Sequence, residues 1–170
     1  TAYAGSMEQG LALAKRYSEH YDVIISRANT ANMISRSVHI PVIDIGIGYY
    51  DVLRCIKMAQ NTGTKFALLG FQSLTVIAKN LCDLLQIHVD IFSFSVDNWK
   101  DSSNLLDRMK EQGYKTVVCD MIPYDHAKKI GLTPILLTSS SESVKQAMEN
   151  AIGTWQQYQK LCNSNAMMQS

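Results

Sequence analysis

The sequence predicts an α/β chain of two lobes, each a parallel sheet layered with helices in αβα order. Short apolar runs alternate with segments of three-and-four helical periodicity from Asp22 to Leu161. One polar stretch, Asn61-Thr62-Gly63-Thr64, interrupts that alternation and offers a crossing point from one lobe to the other. The composition supports packed cores: 170 residues, 46% hydrophobic and 18% charged, exclude a disordered tail or a collagen-like rod.

The elements follow in order. An amphipathic segment covers 7–17, and Asp22-Val23-Ile24-Ile25-Ser26 reads as a strand entering polar residues. A short helix is expected over 30–35. Ile40 to Ile45 forms the next strand, with Pro41 at its mouth, where a missing ladder donor costs least. Gly46-Ile47-Gly48 then turns into a helix over 50–59 that places Val52, Cys55, Ile56 and Ala59 on one face.

Beyond the polar break, strands are expected at 66–70, 89–93 and 116–120, with helices over 73–85, 101–111 and 125–130, the last stopped by Gly131. Thr133 to Thr138 is the final strand, and a long helix from about Ser143 to Leu161 follows. Ser139 and Glu142 have capping-box spacing. Val144, Ala147, Met148, Ala151, Ile152 and Trp155 form a stripe expected to be buried. The expected division puts 1–61 and 132–161 in the first lobe, with a leading strand and helix missing from it, and 62–131 in the second. Residues 164–170 resemble a cleavage scar followed by a start methionine and read as an expression-tag remnant.

Charge narrows the function. Sixteen basic against fifteen acidic residues leave +1, and no Lys or Arg run exceeds two, so there is no electrostatic footprint for nucleic acid. No apolar run is long enough to cross a bilayer and no leader is evident, so a soluble, cytoplasmic domain without membrane contact is expected. Cys55, Cys82, Cys119 and Cys162 form neither a redox pair nor a zinc knuckle and read as buried thiols.

Ligands of open α/β sheets sit outside the carboxyl ends of strands, which singles out the loops at 26–30, 46–51, 70–73 and 138–141. Ser26-Arg27-Ala28-Asn29-Thr30 joins hydroxyls, a guanidinium and a helix start, a set suited to a carboxylate or phosphate. The plainer alternative is ordinary capping beside a surface Arg. Gly46-x-Gly48 fails as a dinucleotide fingerprint because Asp51 stands where the third glycine belongs, and no phosphate loop ends in Lys-Ser or Lys-Thr. Tyr49 and Tyr50 either wall a cleft, with Arg54 one turn further in, or are half-buried rings. His20, His39, His88 and His126 lack metal-ligand spacing, and no nucleophile is paired with a base, so no metal, cofactor or enzymatic activity is expected.

At Ile24-Ile25-Ser26-Arg27-Ala28-Asn29-Thr30-Ala31, Ile40-Pro41-Val42-Ile43-Asp44-Ile45, Tyr50-Asp51-Val52-Leu53-Arg54 and Ser140-Ser141-Glu142-Ser143-Val144-Lys145-Gln146-Ala147, the chain resembles the N-terminal receptor domain of the propionate-catabolism activators. The resemblance implies a two-lobed, periplasmic-binding-protein-like or flavodoxin-like sensor in a sigma-54-dependent transcription activator. A small organic acid such as 2-methylcitrate, or a phosphate-like anion, would fill the interlobe cleft and relieve inhibition of an attached ATPase, with DNA contact elsewhere. It implies Ser26, Arg27 and Thr30 as the anion loop, Tyr50, Asp51 and Arg54 as the facing wall, and Ser140 and Ser141 as hydroxyl donors; Asn29, read from the loop's own residues, joins this candidate ligand-binding set. The family often has glycines where this chain has Ala28-Asn29, which narrows the space over the amides. A homodimer remains open, and a ligand-free dimerisation module or a small-molecule enzyme are the alternatives.

Overall fold

A computed structural model describes residues 1–5, 7–95 and 97–168. The chain divides into two compact units, Thr1–Gly46 with Ser139–Ser170, and Ile47–Thr138.

The first unit holds α1 (Glu8–Tyr17), a 3-10 turn (Ser18–His20), β1 (Ile24–Ser26), α2 (Ala28–Ser35), β2 (Val42–Asp44) and α7 (Ser141–Met168). The strands pair in parallel, with Ile25 opposite Ile43 and Ser26 opposite Asp44. Close approach of α1 and α2 depends on Gly10, where a Cβ would meet Thr30 Cγ2 at 2.6 Å. Among the described residues, the buried apolar ones here are small: Ala14, Ala31, Ala147 and Ala151, with Ile34 the one larger side chain among them. Such a core removes little apolar area from water.

The second unit holds α3 (Tyr49–Asn61), β3 (Phe66–Phe71), α4 (Gln72–Leu85), β4 (Asp90–Phe94), α5 (Asp101–Glu111), β5 (Thr116–Cys119), α6 (Met121–Lys129) and β6 (Thr133–Leu136). Its four strands are parallel in the order β4-β3-β5-β6. Strand alternation sorts the side chains. Leu68 and Val118 join Val52, Ile56, Leu81 and Leu137 in one cluster with α3 and α4. Leu69 and Val117 join Leu106, Met109 and Leu132 in the other, with α5 and α6. This is a sheet buried on both faces, the setting that favours continuous apolar strands.

Several expectations shift. The helix α3 and strand β6, expected in the first lobe, lie in the second unit: α3 packs on α4, β5 and β6, and β6 pairs with β5. The boundaries therefore fall after Gly46 and after Thr138, not at 61 and 132. Helix α6 starts at Met121, four residues earlier than expected, because the Asp120 side chain accepts the Ile122 N–H at 3.1 Å. Pro123 is tolerated there in the first turn, where amides lack intrahelical partners. At α7 the cap belongs to Ser140, whose Oγ accepts the Ser143 N–H at 3.2 Å, and not to Ser139. Of the stripe on α7, Ala147 and Ala151 are buried, whereas Val144, Met148, Ile152 and Trp155 are exposed. Cys162 is exposed as well, while Cys55, Cys82 and Cys119 are buried. Helix α7 continues through Met168, and residues 169–170 of the tag-like segment lie outside the described residues.

Candidate functional site

In the first unit, β1 ends at Ser26 and the chain turns directly into α2. Ser26 keeps the two strands in register through its carbonyl, which accepts the Ile45 N–H at 2.7 Å. Arg27 stands at the N-cap in extended conformation and makes no side-chain bond to the helix amides. Ala28 follows at φ +48°, in the left-handed region, and its N–H donates to Asp44 Oδ1 at 2.6 Å. The amide at the start of α2 thus holds a carboxylate supplied by the end of β2. This is the charge that a helix N-terminus favours.

The buried Asn29 Nδ2 has no hydrogen-bond partner among the described residues. Thr30 Oγ1 accepts the Met7 N–H at 3.0 Å, so this hydroxyl ties α2 to the start of α1. Ser26 and Thr30 also line a cavity of about 490 Å³ with Tyr3, Tyr17, Ile24 and Met148. Tyr3 stacks on Tyr17 at a ring distance of 4.7 Å. Its phenol pairs with that of Tyr21 at 3.0 Å, and that bond raises the Tyr3 pKa from 10.0 to about 12. At the start of α7, Ser140 is engaged by Ser143, and Ser141 Oγ donates to Glu142 Oε2 at 3.3 Å. The Ser139 Oγ is buried without a partner among the described residues.

The second unit holds the other three expected residues at the start of α3, and their roles differ. Asp51 is fully buried, and its Oδ2 accepts the Gly48 N–H at 3.0 Å, closing the first turn of the helix. It is a capping group and not part of an open wall. Arg54 Nη2 donates to both the Thr138 carbonyl, at 3.1 Å, and the Thr138 hydroxyl, at 2.9 Å. That guanidinium fixes the end of the segment after β6. Tyr50 is exposed, as is Tyr49.

A polar cavity of about 530 Å³ at the carboxyl end of β4 was not among the four expected loops. Ser93, Ser95, Asn98, Asp101, Asn104 and Arg108 line it. The signal available was its position after a strand, the same rule that selected the other loops. A larger cavity, about 900 Å³, runs along α4 past Lys65, Lys79 and His88. It extends from the amino ends of β3 and β4, at Phe66 and Asp90, to Gln72 and Ser93 beside their carboxyl ends. No cluster of metal-ligating side chains occurs among the described residues. No described helix is long and apolar enough to cross a membrane.

Both units are parallel α/β layers, and in the first the Ala28 amide at the carboxyl end of β1 holds the Asp44 carboxylate. The chain belongs to the propionate catabolism activator family, which matches residues 1–160. It is a ligand-sensing regulatory domain of a sigma-54-dependent activator and is not itself an enzyme.

A crystal structure of an NtrC family transcriptional regulator from Clostridium acetobutylicum is similar, with a TM-score of 0.76 and 28% identity over 89% of this chain and 80% of that one. A LacI family transcriptional regulator from Enterococcus faecium with bound ribose gives a TM-score of 0.40 at 11% identity, over 78% of this chain and 62% of that one. A solute-binding protein of an ABC transporter system from Conexibacter woesei gives 0.37 at 13% identity, over 81% and 58%. No curated protein matches the chain.

Proposed function

We propose that this domain senses a small organic anion, a polycarboxylate of the 2-methylcitrate type, at the carboxyl ends of β1 and β2. Occupancy then relieves the restraint on an attached ATPase in the cytoplasm. One observation carries the reading: the Ala28 amide holds the Asp44 carboxylate at 2.6 Å, so the backbone at the start of α2 is already arranged for a carboxylate. Arg27, at the cap beside it, adds a guanidinium suited to planar oxyanions. Ser26, Asn29 and Thr30 add polar atoms on the same loop, and Ser140 and Ser141 add hydroxyls at the start of α7.

The ligand acts by favouring one of two arrangements of the protein, and the size of the response equals the difference in its affinity for them. Calorimetric titration with 2-methylcitrate, citrate and phosphate, each against wild type and Arg27→Ala, tests the assignment. A loss of roughly tenfold or more in affinity is expected in the variant, in line with removal of a charge-assisted pair. Unchanged affinity overturns the role of Arg27.

One observation favours a second reading, a ligand-free interaction module. Asp51 and Arg54, two residues expected to meet the anion, are engaged inside the second unit. Absence of binding heat with all three anions would support that reading instead.

A further inference from the structure

The polar cavity at the carboxyl end of β4 lies in the second unit and shares no residue with the anion loop of the first. Its volume of about 530 Å³ falls in the range of small-molecule sites, roughly 300–1,000 Å³. Phe94, buried against Phe71 at a ring distance of 4.4 Å, and the partly buried Leu105 give it an apolar lining. The rest is polar. Asp101, Asn104 and Arg108 stand on one face of α5, spaced three and four residues apart. Two helical turns, about 10 Å, separate Asp101 from Arg108 along the axis, and a long side chain on a helix leans back toward the N-terminus. The guanidinium and the carboxylate therefore border one space.

Neither charge is used within the protein. Asp101 and Arg108 form no ion pair, with each other or with another group, among the described residues. Further round the same helix the charges do have partners: Asp107 meets His126 at 3.0 Å, and Lys110 donates to the Ile130 carbonyl at 2.5 Å. The hydroxyls divide in the same way. Ser95 Oγ accepts the Asn98 N–H at 3.2 Å and serves the turn, whereas the Ser93 hydroxyl and the Asn104 side-chain amide make no hydrogen bond among the described residues.

Two opposite charges that leave each other unpaired across a cavity select a ligand by its own charges. An anion is repelled by Asp101, a cation by Arg108, and a neutral molecule desolvates both without pairing either. A molecule carrying a carboxylate and an ammonium meets both demands. Its carboxylate fits the guanidinium fork, and its ammonium donates to the Asp101 carboxylate. The Ser93 hydroxyl and the Asn104 amide remain for a polar substituent.

We propose that this cavity binds a free amino acid in its zwitterionic form, a second ligand class for the domain and independent of the anion loop. Calorimetric titration of the full chain tests it with two probes: L-serine, whose charges sit on one carbon, and 4-aminobutyrate, whose charges lie three methylenes apart. Butyrate and butylamine, with one charge each, are the controls. The variants are Arg108→Ala and Asp101→Asn at the cavity, and Arg27→Ala in the other unit. Asp101 and Arg108 are exposed, and circular dichroism reports whether helix content is kept.

At least one zwitterion is expected to bind wild type with a Kd of about 1 mM or below, measured with ligand up to roughly 10 mM, and about tenfold or more tighter than either control. Arg108→Ala and Asp101→Asn should each weaken that zwitterion by about tenfold or more, while Arg27→Ala leaves it unchanged. Asp101→Asn should also bind butyrate more tightly than wild type does, because the repelling charge is gone. Absence of binding by both zwitterions overturns the proposal. So does butyrate or butylamine that binds wild type as tightly as they do, or a zwitterion affinity that survives both cavity variants.

Discussion

Ala28 occupies the left-handed region, where an L-residue costs about 1–2 kcal/mol relative to its ordinary conformation. The bond from its N–H to Asp44 Oδ1 offsets part of that cost and keeps the β1 to α2 turn in one shape. Ala28→Gly should therefore raise stability by about 1 kcal/mol in urea unfolding, because glycine enters this region freely. Asp44→Asn keeps an acceptor but removes a negative charge beside the proposed anion loop, so citrate should bind several-fold more tightly to the variant. Affinity equal to or below wild type would count against an anion at this loop. Tyr114 presents a different dependence on charge. It is buried, and its phenol donates to Asp90 Oδ2 at 2.5 Å. Burial first, and the Asp90 carboxylate second, raise its pKa from 10.0 to about 12. The folded state thus holds this proton more tightly than the unfolded chain does. Its contribution is complete below pH 10 and is lost as pH rises toward about 12. Tyr114→Phe should cost about 1 kcal/mol at neutral pH and remove the loss in that alkaline window. Urea midpoints measured across the window check both parts, and a variant with the wild-type slope would refute the assignment.

Helix α7 shows what a cap contributes to an element. Ser140 accepts the Ser143 N–H, so Ser140→Ala should lower stability by about 1 kcal/mol. The Ser139 hydroxyl is buried without a partner among the described residues, and Ser139→Ala should be neutral or slightly stabilising. Thermal unfolding of the two variants decides between them, and the reverse order would return the cap to Ser139. Sequence spacing marked the right neighbourhood here and missed by one residue, because Ser139, Ser140 and Ser141 are chemically equivalent until the backbone selects one. The strands were more legible, since sheets buried on both faces need unbroken apolar runs such as Phe66 to Leu69 and Thr116 to Cys119. Periodicity also gave the inward face of α3, with Val52, Cys55, Ile56 and Ala59 all buried. It could not give the partner of that face, which is why α3 and β6 were expected in the wrong unit. The same gap explains α7: an apolar row predicts that something can cover it, not that the same chain does. In the candidate site the residue types were legible and their bonds were not. Arg54 meets Thr138 across 84 positions of sequence, and no local pattern announces that bond.

At the scale of the whole chain, the two units differ in how they are built. Ile47–Thr138 is one continuous stretch and contains both large apolar clusters entirely. The other unit joins two distant segments, with a two-stranded sheet and a core made largely of alanines. Less apolar area removed from water means less stabilisation, and closing a unit from distant segments adds a loop-entropy cost. The chain should therefore unfold in two steps, the first unit before the second. A fragment spanning 47–138 should fold alone and reproduce the upper transition, whereas a single coincident transition would refute the division of stability. The proposed anion loop lies wholly in the weaker unit, so an anion bound there should move the lower transition and leave the upper one in place. At a ligand concentration of about one hundred times Kd, that shift corresponds to roughly 2.7 kcal/mol. If citrate moved the upper transition instead, the anion would be held by the second unit, and the polar cavity at the end of β4 with Arg108 would become the site to mutate.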